Sequence, residues 1–446
     1  MRSTALLLCL LACAPAHGQE LRRAGFLGLQ VSAPSAAERE QAAVPAGIGV
    51  KVGTVLDSGS GKAAGIETND IITRIDGHDV AGTDSFLQFV RGLHGGDVAA
   101  IEFHRGRETR TSRMLVKPRP YEQSPDVKVD YRAVDAGDGT LRRAIVTSPR
   151  QAGKFPAILY LTGIGCFSQE SLDLATTETK LLYGLTRRGF VTMRVEKSGI
   201  GDSEGPRCDS PSADLNAEVR SYRAALRALR QLPIVDPDNV FVMGLSIGGV
   251  EAPLVASQER VKGLVVVNTV GKPLIEYLLE IRRKQMTLRH EPFDAIDRAM
   301  RLDELCNHRL LIEKESVAHI VSEIPACREH IEYPAPSSYM QQWAALDIAG
   351  LWKEIAAPVL VVYGTSDYIA SVEDQPYLAA MIDSFHPGQA TLQPIPGMDH
   401  YLTKAVSMEA SMAAKRGTSG EFEPAVLEAI SNWLWKIAKN PGEIIR

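Results

Sequence analysis

Val240-Phe241-Val242-Met243-Gly244-Leu245-Ser246-Ile247-Gly248-Gly249-Val250-Glu251-Ala252-Pro253-Leu254 is the most informative stretch of the chain. Four apolar residues lead in as a buried strand, and Val250 to Leu254 lead away as the start of a helix. G-x-S-x-G alone is a weak signal. A serine at the apex of a strand-turn-helix is a much stronger one, because this sharp turn lifts a nucleophile out of the surrounding backbone. The flanking glycines suit a strained turn with another element packed close against it.

Outward from this stretch, strands and helices alternate. Phe155 to Leu161, Phe190 to Val195, Asn239 to Gly244, Val261 to Val267, Pro358 to Tyr363 and Ala390 to Ile395 read as strands. Leu174 to Arg188, Ser212 to Leu232 and Glu423 to Ala438 read as helices. Continuous apolar strands between helices predict an α/β fold with a mostly parallel sheet covered on both faces.

A serine hydroxyl needs a base to take its proton, and the base needs a carboxylate to hold it. On an elbow of this kind the partners follow in the order serine, acid, histidine. His386 and His400 are the histidines far enough along. His400 lies just past the strand Ala390 to Ile395, where strand C-terminal ends carry the site, whereas His386 precedes that strand. Asp367 follows the strand ending at Tyr363 and is the expected acid. Asp374 is the runner-up, and Asp399 is too close in sequence to the histidine. The oxyanion needs two backbone N–H donors. Ile247 should supply one, and the loop Leu161-Thr162-Gly163-Ile164-Gly165 the other, at Ile164 beside Gly163.

Together with Val195-Glu196-Lys197-Ser198-Gly199-Ile200-Gly201-Asp202-Ser203-Glu204-Gly205, these residues resemble the α/β-hydrolase superfamily over about residues 127–440. The similarity is nearest to bacterial esterases and the serine peptidase-like branch, although Thr162 stands where many relatives carry histidine. The resemblance implies that the loops after Leu161 and Val195 are neighbours, and therefore a Cys166–Cys208 disulfide. Between about 272 and 357 the strand pattern stops, and Leu274, Tyr277, Leu278, Ile281, Ile296, Met300 and Leu305 recur at helical spacing. This reads as an inserted helical cap that shapes an acyl pocket. Cys306 and Cys327 both lie in it, which favours their pairing among the three pairings that four cysteines allow.

Residues 119–126, rich in proline and poor in apolar side chains, read as a linker. Before them, Phe26-Leu27-Gly28-Leu29, Gly53-Thr54-Val55, Ala63-Ala64-Gly65-Ile66 and Asn69 to Gly77 resemble a bacterial PDZ domain over residues 24–118. That resemblance implies a carboxylate-binding loop at Leu27, Gly28 and Leu29, with a peptide C-terminus adding as a strand. Gly59-x-Gly61-x-x-Ala64 loosely matches a dinucleotide fingerprint but lacks the following acidic residue in a βαβ unit.

The chain has 446 residues, 45% hydrophobic and 23% charged, with a net charge of −5. This is globular composition, and with no basic excess nucleic acid is not an expected partner. Residues 1–18 read as a signal peptide: Arg2, an apolar run from Ala5 to Ala12, then Ala16-His17-Gly18. The product would be periplasmic or secreted. Leu10-Leu11-Ala12-Cys13 offers an alternative, a lipid anchor at Cys13. No cofactor or metal is expected, since H-E-x-x-H is missing and the ten histidines are scattered. Three functions are compatible with the sequence: a serine hydrolase of carboxylic esters or thioesters, a serine peptidase using the same triad, or a non-enzymatic PDZ adaptor with a vestigial hydrolase domain. For the peptidase, Glu276, Glu280 or Glu291 would hold the substrate amine.

Overall fold

The structure, a computed structural model, describes residues 20–414, 417 and 420–439. The segment expected to be a signal peptide, with Cys9 and Cys13, lies outside them. Two sheets organise the chain. The first contains β1 (Leu29–Ser32), β2 (Val50–Val55), β3 (Ile71–Ile75), β4 (His78–Asp79), β5 (Val98–Arg105) and β6 (Glu108–Leu115). Its order is β1-β2-β3-β5-β6, with β4 beside β3, so β1 is an edge strand. Val50, Val52, Ile72, Ile101 and Phe103 form a core of its own. Gly59 and Gly61 serve packing: a Cβ at Gly59 would meet Leu27 O at 2.4 Å, and one at Gly61 would meet the Leu29 side chain at 2.5 Å.

The second sheet contains β7 (Val127–Asp135), β8 (Leu141–Pro149), β9 (Phe155–Leu161), β10 (Val191–Val195), β11 (Val235–Leu245), β12 (Gly263–Val267), β13 (Val359–Gly364) and β14 (Ala390–Ile395). Its order is β14-β13-β12-β11-β9-β10-β8-β7. The six strands from β14 to β10 are parallel, and β8 runs antiparallel to both its neighbours. β10 and β12 are buried at every residue, as strands covered on two faces must be. On one face, Leu226 of the helix Leu215–Arg230 and Val250 of the helix Ile247–Ala256 join the core. On the other, Leu182 of the helix Thr177–Arg187 and Ile430 of the helix Pro424–Lys439 do so.

Between β12 and β13 the chain is helical, from Leu274–Leu288 through Ile348–Lys353. Cys306 pairs with Cys327 inside this insertion, and Cys166 pairs with Cys208. The insertion shares one core with the sheet face below it. One expectation needs correction. Leu305 is exposed, because Cys306 occupies the core-facing position of that turn. The apolar stripe is spent mainly on this packing, and Pro334 is the one described residue of the insertion on the wall of the cavity that holds Ser246.

The segment expected to be a linker is tied down. The Glu122 carboxylate is buried against the Arg194 guanidinium at 2.7 Å. It also accepts hydrogen bonds from Ser171 N–H and the Tyr183 hydroxyl. Arg23 donates to the carbonyls of Arg119 and Pro120 and pairs with Asp202 and Glu170. Low apolar content hid these contacts, because they are ionic. Removing one partner of a buried pair strands the other in a medium that solvates it poorly. Glu122→Ala should therefore destabilise the protein by about 3–5 kcal/mol, measured as a lower urea midpoint, and an unchanged midpoint would refute the pair's structural role.

Candidate active site

Ser246 joins the end of β11 to the helix Ile247–Ala256 with φ +56° and ψ −122°, a region that side-chain-bearing residues rarely occupy. Its surroundings hold it there. Ser246 N–H donates to Val267 O at 2.9 Å, and the Thr269 hydroxyl donates to Ser246 O at 2.9 Å. The three glycines are sterically required. A Cβ would lie 2.0 Å from Gly248 O at Gly244, 2.3 Å from Leu161 O at Gly248, and 2.3 Å from Thr269 Oγ1 at Gly249.

Asp367 follows β13, and His400 lies in the loop after β14. Asp367 Oδ2 accepts from His400 Nδ1 at 2.8 Å, while Oδ1 accepts the N–H groups of Ile369 at 2.7 Å and Ala370 at 2.9 Å. The carboxylate is buried, and both of its oxygens are hydrogen-bonded. Gly364 lets the two loops meet, since a Cβ there would lie 2.2 Å from Met398 O. Asn268 is a contributor that the sequence reading missed. Its Nδ2 donates to Asp399 O and His400 O, both at 3.1 Å, and its Oδ1 accepts Gly364 N–H at 2.8 Å. Its sequence signal is slight: an asparagine directly after an apolar strand.

The alternative residues have other work. Asp399 accepts from the backbone of Tyr401 and Thr403 and from the hydroxyls of Thr403 and Ser411, shaping the loop that carries His400. Asp374 pairs with Lys272 at 3.2 Å, and burial pushes its carboxyl up to about 6. His386 bonds Lys353 O through Nε2. Glu276 and Glu280 approach Lys272, and Glu291 pairs with Arg289. None of these three glutamates lines the cavity beside Ser246.

Ser246 and His400 open onto a cavity of about 650 Å³, shared with Gly163 and Ile164. Phe167, Leu182, Leu245 and Ile369 give it apolar walls, as small-molecule sites usually have. Glu196 fastens the segment after the Cys166 disulfide, accepting from the Ser168 hydroxyl and Gln169 N–H, and burial pushes its carboxyl up to about 7. Glu178 also lines the cavity and makes no ion pair among the described residues; sequence reasoning had not singled it out. Burial opposes charging of His400, but Asp367, then Asp399 and Glu178, outweigh it and raise the imidazole above its ordinary 6.5. In the first sheet, Leu27 is buried, Gly28 sits at φ +64°, and Leu29 opens the edge strand β1. Among the described residues, no group of three or more His, Cys, Asp or Glu is arranged to hold a metal ion.

The sequence model of a family described as serine aminopeptidase, S33, matches residues 175–404, and that of the PDZ domain matches residues 25–116. The chain is 24% identical over 316 residues to Esterase EstD of Thermotoga maritima, covering 67% of this chain and 70% of that protein. Among solved structures it is similar to Est1E from Butyrivibrio proteoclasticus, at 15% identity and TM-score 0.43, covering 69% of this chain and 98% of that one. It is also similar to carboxyl esterase 2 of Tuber melanosporum, at 14% identity and TM-score 0.43, covering 71% and 90%.

The charges around His400 set a testable expectation. By NMR, its imidazole should titrate above pH 6.5. Glu178→Gln removes one of the charges that favour the imidazolium and should lower that midpoint. A midpoint unmoved by the substitution would show that Glu178 does not act on the imidazole.

Proposed function

The chain belongs to the serine aminopeptidase S33 family of α/β hydrolases and carries an N-terminal PDZ domain; on that premise we propose that it is an exported serine hydrolase of carboxylic esters or thioesters. The observation that carries this reading is the opening of the strained Ser246 and the Asp367-paired His400 onto one apolar-walled cavity.

In this mechanism Ser246 Oγ attacks the substrate carbonyl while His400 Nε2 takes its proton. Asp367 holds the Nδ1–H tautomer and stabilises the imidazolium that forms. The N–H groups of Ile247 and Ile164 receive the oxyanion, the first at a helix N-terminus where the backbone dipoles favour negative charge. The imidazolium protonates the departing alcohol or thiol. Water, deprotonated by the same histidine, then releases the acid. The relative named as an esterase supports the ester reading, as do the apolar walls. The family's description keeps a peptidase as the second reading, in which the same triad would cleave an amide. Two disulfides suit an oxidising compartment, and residues 1–18 would supply the export signal, or Cys13 the lipid anchor. The PDZ domain would dock a peptide C-terminus at Leu27–Leu29, along the free edge of β1.

The test is hydrolysis of p-nitrophenyl esters of rising chain length. Ser246→Ala should lower kcat by about 10⁶-fold and Asp367→Asn by about 10⁴-fold. The reaction needs neutral His400, so kcat/KM should fall as pH drops through a midpoint above 6.5. Turnover of aminoacyl amides with inert esters would move the assignment to the peptidase. Full activity in Ser246→Ala would end the proposal.

A further inference from the structure

Lys197 is a buried cation behind the cavity wall, and the mechanism above does not use it. Its side chain is 3% exposed. Its Nζ donates to Gly163 O at 3.1 Å and pairs with Glu218 at 2.9 Å. Glu251, fully buried in the helix that follows Ser246, is the other carboxyl of this cluster. Burial, and then the charge of Glu218, push its carboxyl well above the ordinary 4.5, and the Tyr339 hydroxyl donates to it. Lys197 Nζ is thus held between the Glu218 carboxylate and the Gly163 carbonyl.

That carbonyl belongs to a significant peptide unit. Gly163 C=O and Ile164 N–H are the two ends of one amide, and no cis peptide bond occurs among the described residues. In a trans amide the two groups point in opposite directions. A donor fixed on the oxygen thus aims the N–H away from itself. Gly163 and Ile164 line the cavity with Ser246, and a Cβ at Gly163 would lie 3.8 Å from Ser246 Cβ. An ammonium on the oxygen also draws electron density from the N–H, strengthening it as a donor. The loop is pinned again at Cys166, through its disulfide to Cys208.

We propose that Lys197 is a positioning residue for the oxyanion hole, orienting and polarising the Gly163–Ile164 peptide through its hydrogen bond to Gly163 O. The inference rests on the serine hydrolase reading. Lys197 would touch no substrate and would act only as negative charge develops on the carbonyl oxygen. Its effect should therefore lie in the transition state, leaving substrate affinity alone.

The test compares Lys197→Met, Lys197→Gln and Glu218→Gln with wild type, using p-nitrophenyl butyrate and a trifluoromethyl ketone that forms a hemiketal oxyanion on serine. Lys197→Met should lower kcat by about 10- to 100-fold with KM held, less than the ~10²–10³ that losing a whole donor costs. The ketone's Ki should rise by the same factor. Glu218→Gln, which keeps the bond to Gly163, should change kcat less than about threefold. Lys197→Gln fills similar space and keeps a donor but no charge. It should lose about 10-fold, and it carries the test if Lys197→Met does not fold. Unchanged kcat in the Lys197 variants, a loss confined to KM, or equal losses in Lys197→Gln and Glu218→Gln would overturn the inference. Fluorophosphonate labelling separates the two levels. An unlabelled Ser246 in wild type defeats the hydrolase reading and the inference with it. A labelled wild type with unchanged Lys197 variants defeats the inference alone.

Discussion

The close approach of the helix Ile247–Ala256 to β9 and β11 is the constraint on which the rest depends. At Gly244 and Gly248 the backbones are so near that a single methyl group would meet a carbonyl oxygen at 2.0 and 2.3 Å. That proximity forces the positive φ at Ser246 and sets the serine at the rim of the sheet. It also brings the end of β9, and so Gly163 and Ile164, beside the serine. The unfavourable backbone conformation persists because the β12 carbonyl of Val267 and the Thr269 hydroxyl leave it no alternative.

The same logic extends along the C-terminal edge of the sheet. Asp367 and His400 come from loops after adjacent strands, β13 and β14, whose close contact depends on Gly364 lacking a side chain. Asn268 and Asp399 then shape the loop by backbone hydrogen bonds. Aligning His400 with Asp367 thus takes several hydrogen-bonding groups around one charged pair.

The first sheet has its own core, yet its flank is joined to the second by ionic contacts that reach the cavity wall. Glu170 and Arg194 line the cavity, and their partners Arg23 and Glu122 flank the PDZ domain in sequence. Buried pairs of this kind fix geometry more than they add stability, because desolvation cancels much of their attraction.

The amino-acid sequence by itself determined what depends on local order and periodicity. Apolar runs between helices specify a covered parallel sheet, the glycines around Ser246 specify a strained strand-to-helix turn, and a place just past a strand's C-terminal end made Asp367 and His400 the expected partners of Ser246. The Cys166–Cys208 pair was implied by the resemblance to a known fold, and the Cys306–Cys327 pair was favoured by their shared place in the insertion. Tertiary structure decided everything that rests on convergence of distant residues. The partners of Glu178, Asn268 and Lys197 could not be read locally, because their surroundings come from other strands and helices. The stripe on the inserted helices reads the same whether it faces a substrate or a core, and packing alone assigned it to the core. The buried contacts of the linker were not legible for a related reason: a charged residue in a proline-rich stretch looks solvated until the chain supplies its buried counter-ion.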